Sequence, residues 1–161
     1  MKNLKDFFLF GEIKARMLVI NYSASLKTML RQPFWKNIRL EQIRYDQPYQ
    51  DGFHSQREII KVKTFSFNKP VDVLEVEEEM TKNGYRPATL RELLAFGIKF
   101  NSYLKEFMVI SLQKFTLLDC DNDPYWYLVA LHQGKNDFPE SVIFFNHATW
   151  GHGCHFLGVR I

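Results

Sequence analysis

Between Asn146 and His155 the sequence reads NHATWGHGCH, which puts three imidazoles and one thiol within nine positions counted from His147. Imidazole nitrogen and thiolate sulfur are ligands that suit zinc and copper. His147, His152, Cys154 and His155 are therefore the candidate metal set, with zinc as the candidate cofactor. The spacing is irregular, because adjacent side chains in a strand leave on opposite faces. Cys154 and His155 reach one ion together only if the strand starts later, whereas His147 and His152 on a glycine-flexed loop can converge with either. The competing account has these histidines hydrogen-bond locally or contact a partner.

Nucleophilic catalysis requires a base in reach of an activated Cys or Ser and a group that orients the base. Cys154 has His155 beside it in sequence, but on a strand the two diverge, so His132, His147 or His152 would have to serve as base. No glycine turn of the oxyanion type accompanies them. Trp126 and Trp150, with Tyr125 and Tyr127, are the aromatic candidates for recognition, since tryptophan beside a glycine-rich loop makes a hot spot for a partner or a stacking plate. Trp150 can equally fill space beneath the loops. Glu75, Glu77, Glu78 and Glu79 crowd one segment, but a metal site needs ligands converging from elsewhere, and solvated helical carboxylates account for them. Asp119 to Pro124 imitates the start of a calcium loop, yet lacks glycine at position six and has Ala130 where the bidentate Glu belongs, so it reads as a turn.

The elements that must position these residues are legible from periodicity. Gly84 to Phe96, GYRPATLRELLAF, marks a helix junction. Gly84 can close a helix running from Val71 to Asn83; Pro87 forbids its continuation, and Thr89 with Glu92 three residues on forms a capping box for a helix from about Leu90 to Phe100. Leu90, Leu93, Leu94 and Ile98 give that helix its apolar stripe. Alternation predicts strands at Glu58–Asn68, Phe107–Leu118, Tyr125–His132, Ser141–Asn146 and Cys154–Ile161. Ahead of them, apolar positions at Leu4, Phe7, Phe8, Ile13, Met17, Ile20, Leu26, Met29 and Leu30 predict one or two helices over 2–31. The organisation expected is a basic helical extension (1–34), a linker or wrapping loop (35–55) and a folded domain (56–161).

Hydrophobic residues make up 46% and aromatics 16% of the 161 residues, with eight glycines and six prolines, so the chain carries enough apolar surface for a real core. Two cysteines without CxxC spacing exclude a disulfide framework and point to a reducing compartment. No run of 18 apolar residues and no signal-peptide pattern is present, so a cytoplasmic location is expected. The net charge of +3 is unevenly placed: residues 1–44 hold nine Lys/Arg against three Asp/Glu, and 45–161 hold twelve against fifteen. The basic extension can meet a membrane surface, a partner groove or a phosphate backbone, or pack on the body or on another copy of itself.

GYRPATLRELLAF, FMVISL, YWYLVAL and the ending FFNHATWGHGCHFLGVR resemble a little-characterised group of small bacterial proteins. Their pattern runs GFRPAT-x-x-ELLAF and closes in W-x(4,5)-RFL-x-VR. The match covers Val71 to Arg160; His155 departs from it by standing where the pattern has Arg. The resemblance implies an α+β, C-type-lectin-like domain in which first and last strands pair and a rigid body displays loops, here Asp119–Tyr125, Gly134–Glu140 and Asn146–His155. The EPN, QPD and WND motifs of sugar-binding lectins are missing, so calcium-dependent sugar binding is not expected. Formylglycine-generating enzymes share the broad fold but rely on a close cysteine pair, and Cys120 and Cys154 lie on different segments.

The expectation is a non-enzymatic binding module that meets a protein partner through Asn146, His147, Thr149, Trp150, His152, His155 and Trp126. The alternatives are a metal-binding protein or enzyme built on residues 147–155, and membrane or nucleic-acid association through the basic extension.

Overall fold

The computed structural model of the chain describes residues 15–24, 26–30, 57–115, 127–134, 139–145 and 149–161. Two capping boxes fix the long helices. Asp72 accepts from the Glu75 amide while Glu75 returns to the Asp72 amide, starting α2 (Val73–Lys82); Thr89 and Glu92 do the same for α3 (Leu90–Lys99). Gly84 sits between them with φ 76°, a left-handed conformation that glycine adopts without steric cost. After Gly84, β3 (Tyr85–Pro87) leads into α3, and α4 (Asn101–Leu104) follows it.

Seven strands among the described residues form one mixed sheet: β1 (Arg16–Asn21), β2 (Arg57–Ser66), β3, β4 (Met108–Phe115), β5 (Tyr127–Gln133), β6 (Pro139–Phe145) and β7 (Cys154–Arg160). The order is β1-β2-β7-β4-β5-β6. β7 is central: β2 runs antiparallel along one edge, and β4 (parallel) then β3 (antiparallel) share the other. Gly158 on β7 is required by packing, because a Cβ there would stand 2.8 Å from the Phe65 ring and 3.3 Å from Tyr85 Cβ. Those two rings meet edge to face at 5.5 Å.

Over its central strands the sheet is covered on both faces. On one, α1 (Leu26–Leu30), α3 and α4 close over Leu18, Ile20, Val62, Val109, Val129, Leu131, Leu157 and Val159; on the other, α2 closes over Phe65, Ile110, Leu112, Leu128, Ala130 and Phe156. This explains why YLVAL is a continuous apolar run and VISL is broken only by Ser111, whose hydroxyl donates to the Ala88 carbonyl: a strand buried on both faces has no polar side to alternate with.

One expectation is corrected. The helix predicted across 2–31 gives way to strand over Arg16–Asn21, paired antiparallel with β2. Ile13, Met17 and Ile20 mimic helical spacing, but the buried residues are Leu18 and Ile20, a period of two, while Met17 and Val19 are exposed. Helix is retained at Leu26–Leu30, where Leu26 and Met29 are buried. Residues 1–14, the linker 35–55, and the turn from Asp119 to Pro124 with Cys120 lie outside the described residues.

Candidate functional site

The end of the histidine-rich loop is anchored by a two-way backbone pairing, Val71 N to Trp150 O at 3.1 Å and Trp150 N to Val71 O at 2.9 Å. The Trp150 indole, 4% exposed, packs edge to face on Phe156 at 6.1 Å beneath the loop. Thr149, Gly151, His152 and Gly153 are all exposed around it. Gly153 has φ 86°, and a Cβ on Gly151 or Gly153 would meet nothing within 4 Å. Of the residues expected to form the recognition face, Thr149 and His152 are thus displayed, whereas Trp150 is the anchor. Asn146, His147 and Trp126 lie outside the described residues.

β7 then begins at Cys154, and alternation separates Cys154 from His155. Cys154 packs with the α2-side core; His155 turns to the opposite face, where it is 4% exposed. There its ring stacks on Phe107 at 4.2 Å and 23°, and Nδ1 is hydrogen-bonded to the Tyr103 hydroxyl, which in turn lies 3.0 Å from Thr64 Oγ1. Both hydroxyls and Nδ1 are satisfied whichever way the chain of donation runs. Burial depresses the His155 pKa to about 4 and raises that of Tyr103 to about 12, so the imidazole is neutral and the phenol protonated at neutral pH. Burial also pushes the Cys154 thiol up, away from the thiolate that a nucleophile or metal ligand requires. Cys154 and His155, on opposite faces, make neither a nucleophile–base pair nor two ligands of one ion. His155 is a buried structural group, not a contact residue. Among the described residues no three His, Cys, Asp or Glu side chains converge on a metal position.

The junction motif forms a second polar cluster. Glu92 is fully buried and accepts from Arg86 at 2.7 and 2.9 Å, from the Tyr22 hydroxyl at 2.6 Å and from the Thr89 amide at 2.7 Å. Burial alone would raise its pKa, but the Arg86 hydrogen bonds and charge, with Tyr22 and Thr89, outweigh this and hold the carboxyl below its usual range. Arg91 ties the same corner to the Tyr22 and Ala24 carbonyls. The capping box made the Glu92–Thr89 bond legible in the sequence. Tyr22, Tyr103, Phe107 and Thr64 carried no local signal, since each acts across dozens of residues.

An open cleft of about 520 Å³ lies between the end of β2 and α2, with Phe65, Phe67 and Val71 among its lining. Four of its charges pair with one another: Lys69 meets Glu75 at 2.7 Å, and Lys82 stands 4.0 Å from Glu79. The run of glutamates on α2 is accounted for by a cap, these pairs and solvent. Among the described residues no helix is long and apolar enough to cross a membrane. Compared with known proteins, the chain matches no family model, no curated protein and no solved structure.

Proposed function

We propose that the chain is a non-enzymatic binding module of C-type-lectin-like architecture that recognises a protein partner through its C-terminal loop, with Thr149 and His152 as contacts. The architecture is supported by the antiparallel pairing of β2 with the last strand β7 and by the two long helices between them in the chain. The observation that carries the functional reading is the exposed Thr149–Gly153 segment held on a buried Trp150. A short loop on a fixed anchor loses little conformational freedom when it binds, which favours recognition. The buried titratable groups support the same reading, because His155 and Glu92 are consumed by internal bonds rather than aimed at a substrate.

A photoreactive amino acid placed at position 152, compared with one at exposed position 105, tests this in the cells that make the protein. The expected result is one discrete adduct from 152 and none from 105, diminished by Thr149→Asp. Equal labelling from both positions, or none from 152, sinks the reading. Stoichiometric zinc lost on His152→Ala would instead support the metal-binding alternative.

A further inference from the structure

The register of the β1–β2 ribbon pairs Met17 with Lys61, Val19 with Ile59 and Asn21 with Arg57. These residues share the face opposite Leu18, Ile20 and Val62. On it Met17 is 54%, Val19 53% and Ile59 66% exposed, and Arg57 and Lys61 are exposed as well. Neither strand adds a carboxylate here, since Glu58 alternates to the other face. Three neighbouring exposed aliphatics between two cations form a surface that calls for an acidic, partly apolar partner.

The chain carries such a surface itself. On α2, Leu74 is 66% exposed, and Glu77, Glu78 and Thr81 follow at helical spacing on the same side. Phe65, on the same face of β2 as Ile59, packs with Val73, Val76 and Met80 of α2, so helix and ribbon face lie on one side of the sheet. A two-fold axis can therefore satisfy both contacts at once, each copy giving its helix to the ribbon of the other.

We propose that the outward β1–β2 face, Met17, Val19, Ile59, Arg57 and Lys61, docks the Leu74–Glu77–Glu78 face of α2 from a second copy of this chain. The aliphatic patch supplies the desolvated centre and the opposite charges set the orientation. The contact is small, so association is reversible and weakened by salt.

Sedimentation velocity of the full chain over a concentration series, at low and high salt, reads it directly. Wild type is expected to dimerise reversibly and less at high salt. Arg57→Glu with Lys61→Glu, and separately Glu77→Lys with Glu78→Lys, should each weaken dimerisation by about tenfold or more, because like charges then face each other. Mixing the two variants should restore a heterodimer, since the acidic ribbon of one now meets the basic helix of the other. Arg57, Lys61 and Glu78 are exposed and Glu77 is half-buried, so unchanged circular dichroism and Tm are required to confirm folding; Val19→Ser supplies an uncharged variant that should also weaken the dimer. A monomeric wild type at every concentration, a dimer indifferent to both charge reversals, or reversals that do not rescue each other overturns the proposal. So does binding of the wild-type monomer to anionic vesicles through Lys61 with no dimer formed.

Discussion

At His155 burial opposes protonation, and the consequence is a pH dependence with a defined sign. The folded pKa of about 4 lies below the ordinary value of 6.5, so between these values the unfolded chain binds the proton that the folded chain refuses. The stability His155 contributes is complete above pH 6.5 and is lost as pH falls through about 4, a loss on the order of 3 kcal/mol. Replacing it by phenylalanine keeps a ring against Phe107 and removes the titration. Urea denaturation from pH 7 to pH 4 should thus show a steeper loss for wild type than for His155→Phe, and parallel curves would refute the assignment. Arg86→Leu tests the other buried group. It strands a fully buried Glu92 carboxylate on Tyr22 and the Thr89 amide, and should cost about 3–5 kcal/mol at pH 7. The cost should shrink as pH falls toward and through the ordinary carboxylate range, because burial without Arg86 favours the protonated form of Glu92 in the variant; a deficit constant with pH would mean that lost packing, not stranded charge, is responsible. Strand alternation made the divergence of Cys154 and His155 legible in advance. The partners of His155 were not, because Tyr103 and Thr64 reach it through the tertiary fold, 52 residues apart in the Tyr103 bond.

Elements were legible chiefly where a local rule specifies them. The Thr89–Glu92 capping box, the glycine between the helices and the strand expected at Glu58–Asn68 follow from residues close together in the sequence; the Asp72–Glu75 box obeys the same local rule but was not read from it. Asp72 offers a clean test, being an exposed cap residue that bonds the Glu75 amide at 2.9 Å. Asp72→Ala should lower stability by about 1 kcal/mol and Asp72→Ser by less; no change in a denaturation midpoint would mean that packing alone holds the start of α2. The segment 16–21 misled for a physical reason. An edge strand is buried on one face only, and here the exposed face is also aliphatic, so Met17 and Val19 hid the alternation of Leu18 and Ile20. The central strands gave no face at all, since there both sides of the sheet are covered, and continuous apolar runs announce burial without saying what covers it.

For the molecule as a whole, β1 decides whether the N-terminal region is an attachment or part of the fold. Leu18 and Ile20, each 1% exposed, complete the core beneath α3, with Leu26 and Met29 of α1 beside them. The Tyr22 hydroxyl bonds Glu92, Arg91 holds the Tyr22 and Ala24 carbonyls, and Lys99 reaches the Met17 carbonyl at 2.8 Å. Deleting residues 1–44 would uncover Val62, Leu93 and Leu94, expose the outer edge of β2 and remove a hydrogen bond from a buried carboxylate. An uncovered apolar strand edge is a template for aggregation. A chain starting at residue 45 should therefore aggregate or lose its cooperative thermal transition, while Tyr22→Phe in the full chain, which removes a single hydrogen bond to a charged group, should cost about 1.5–3 kcal/mol and leave the transition cooperative. A truncated chain that stays monomeric with the wild-type Tm would show that the sheet from β2 to β6 is self-sufficient. The contacts of β1 with α3 would then be incidental, and the basic N-terminal region would be free to act on another molecule.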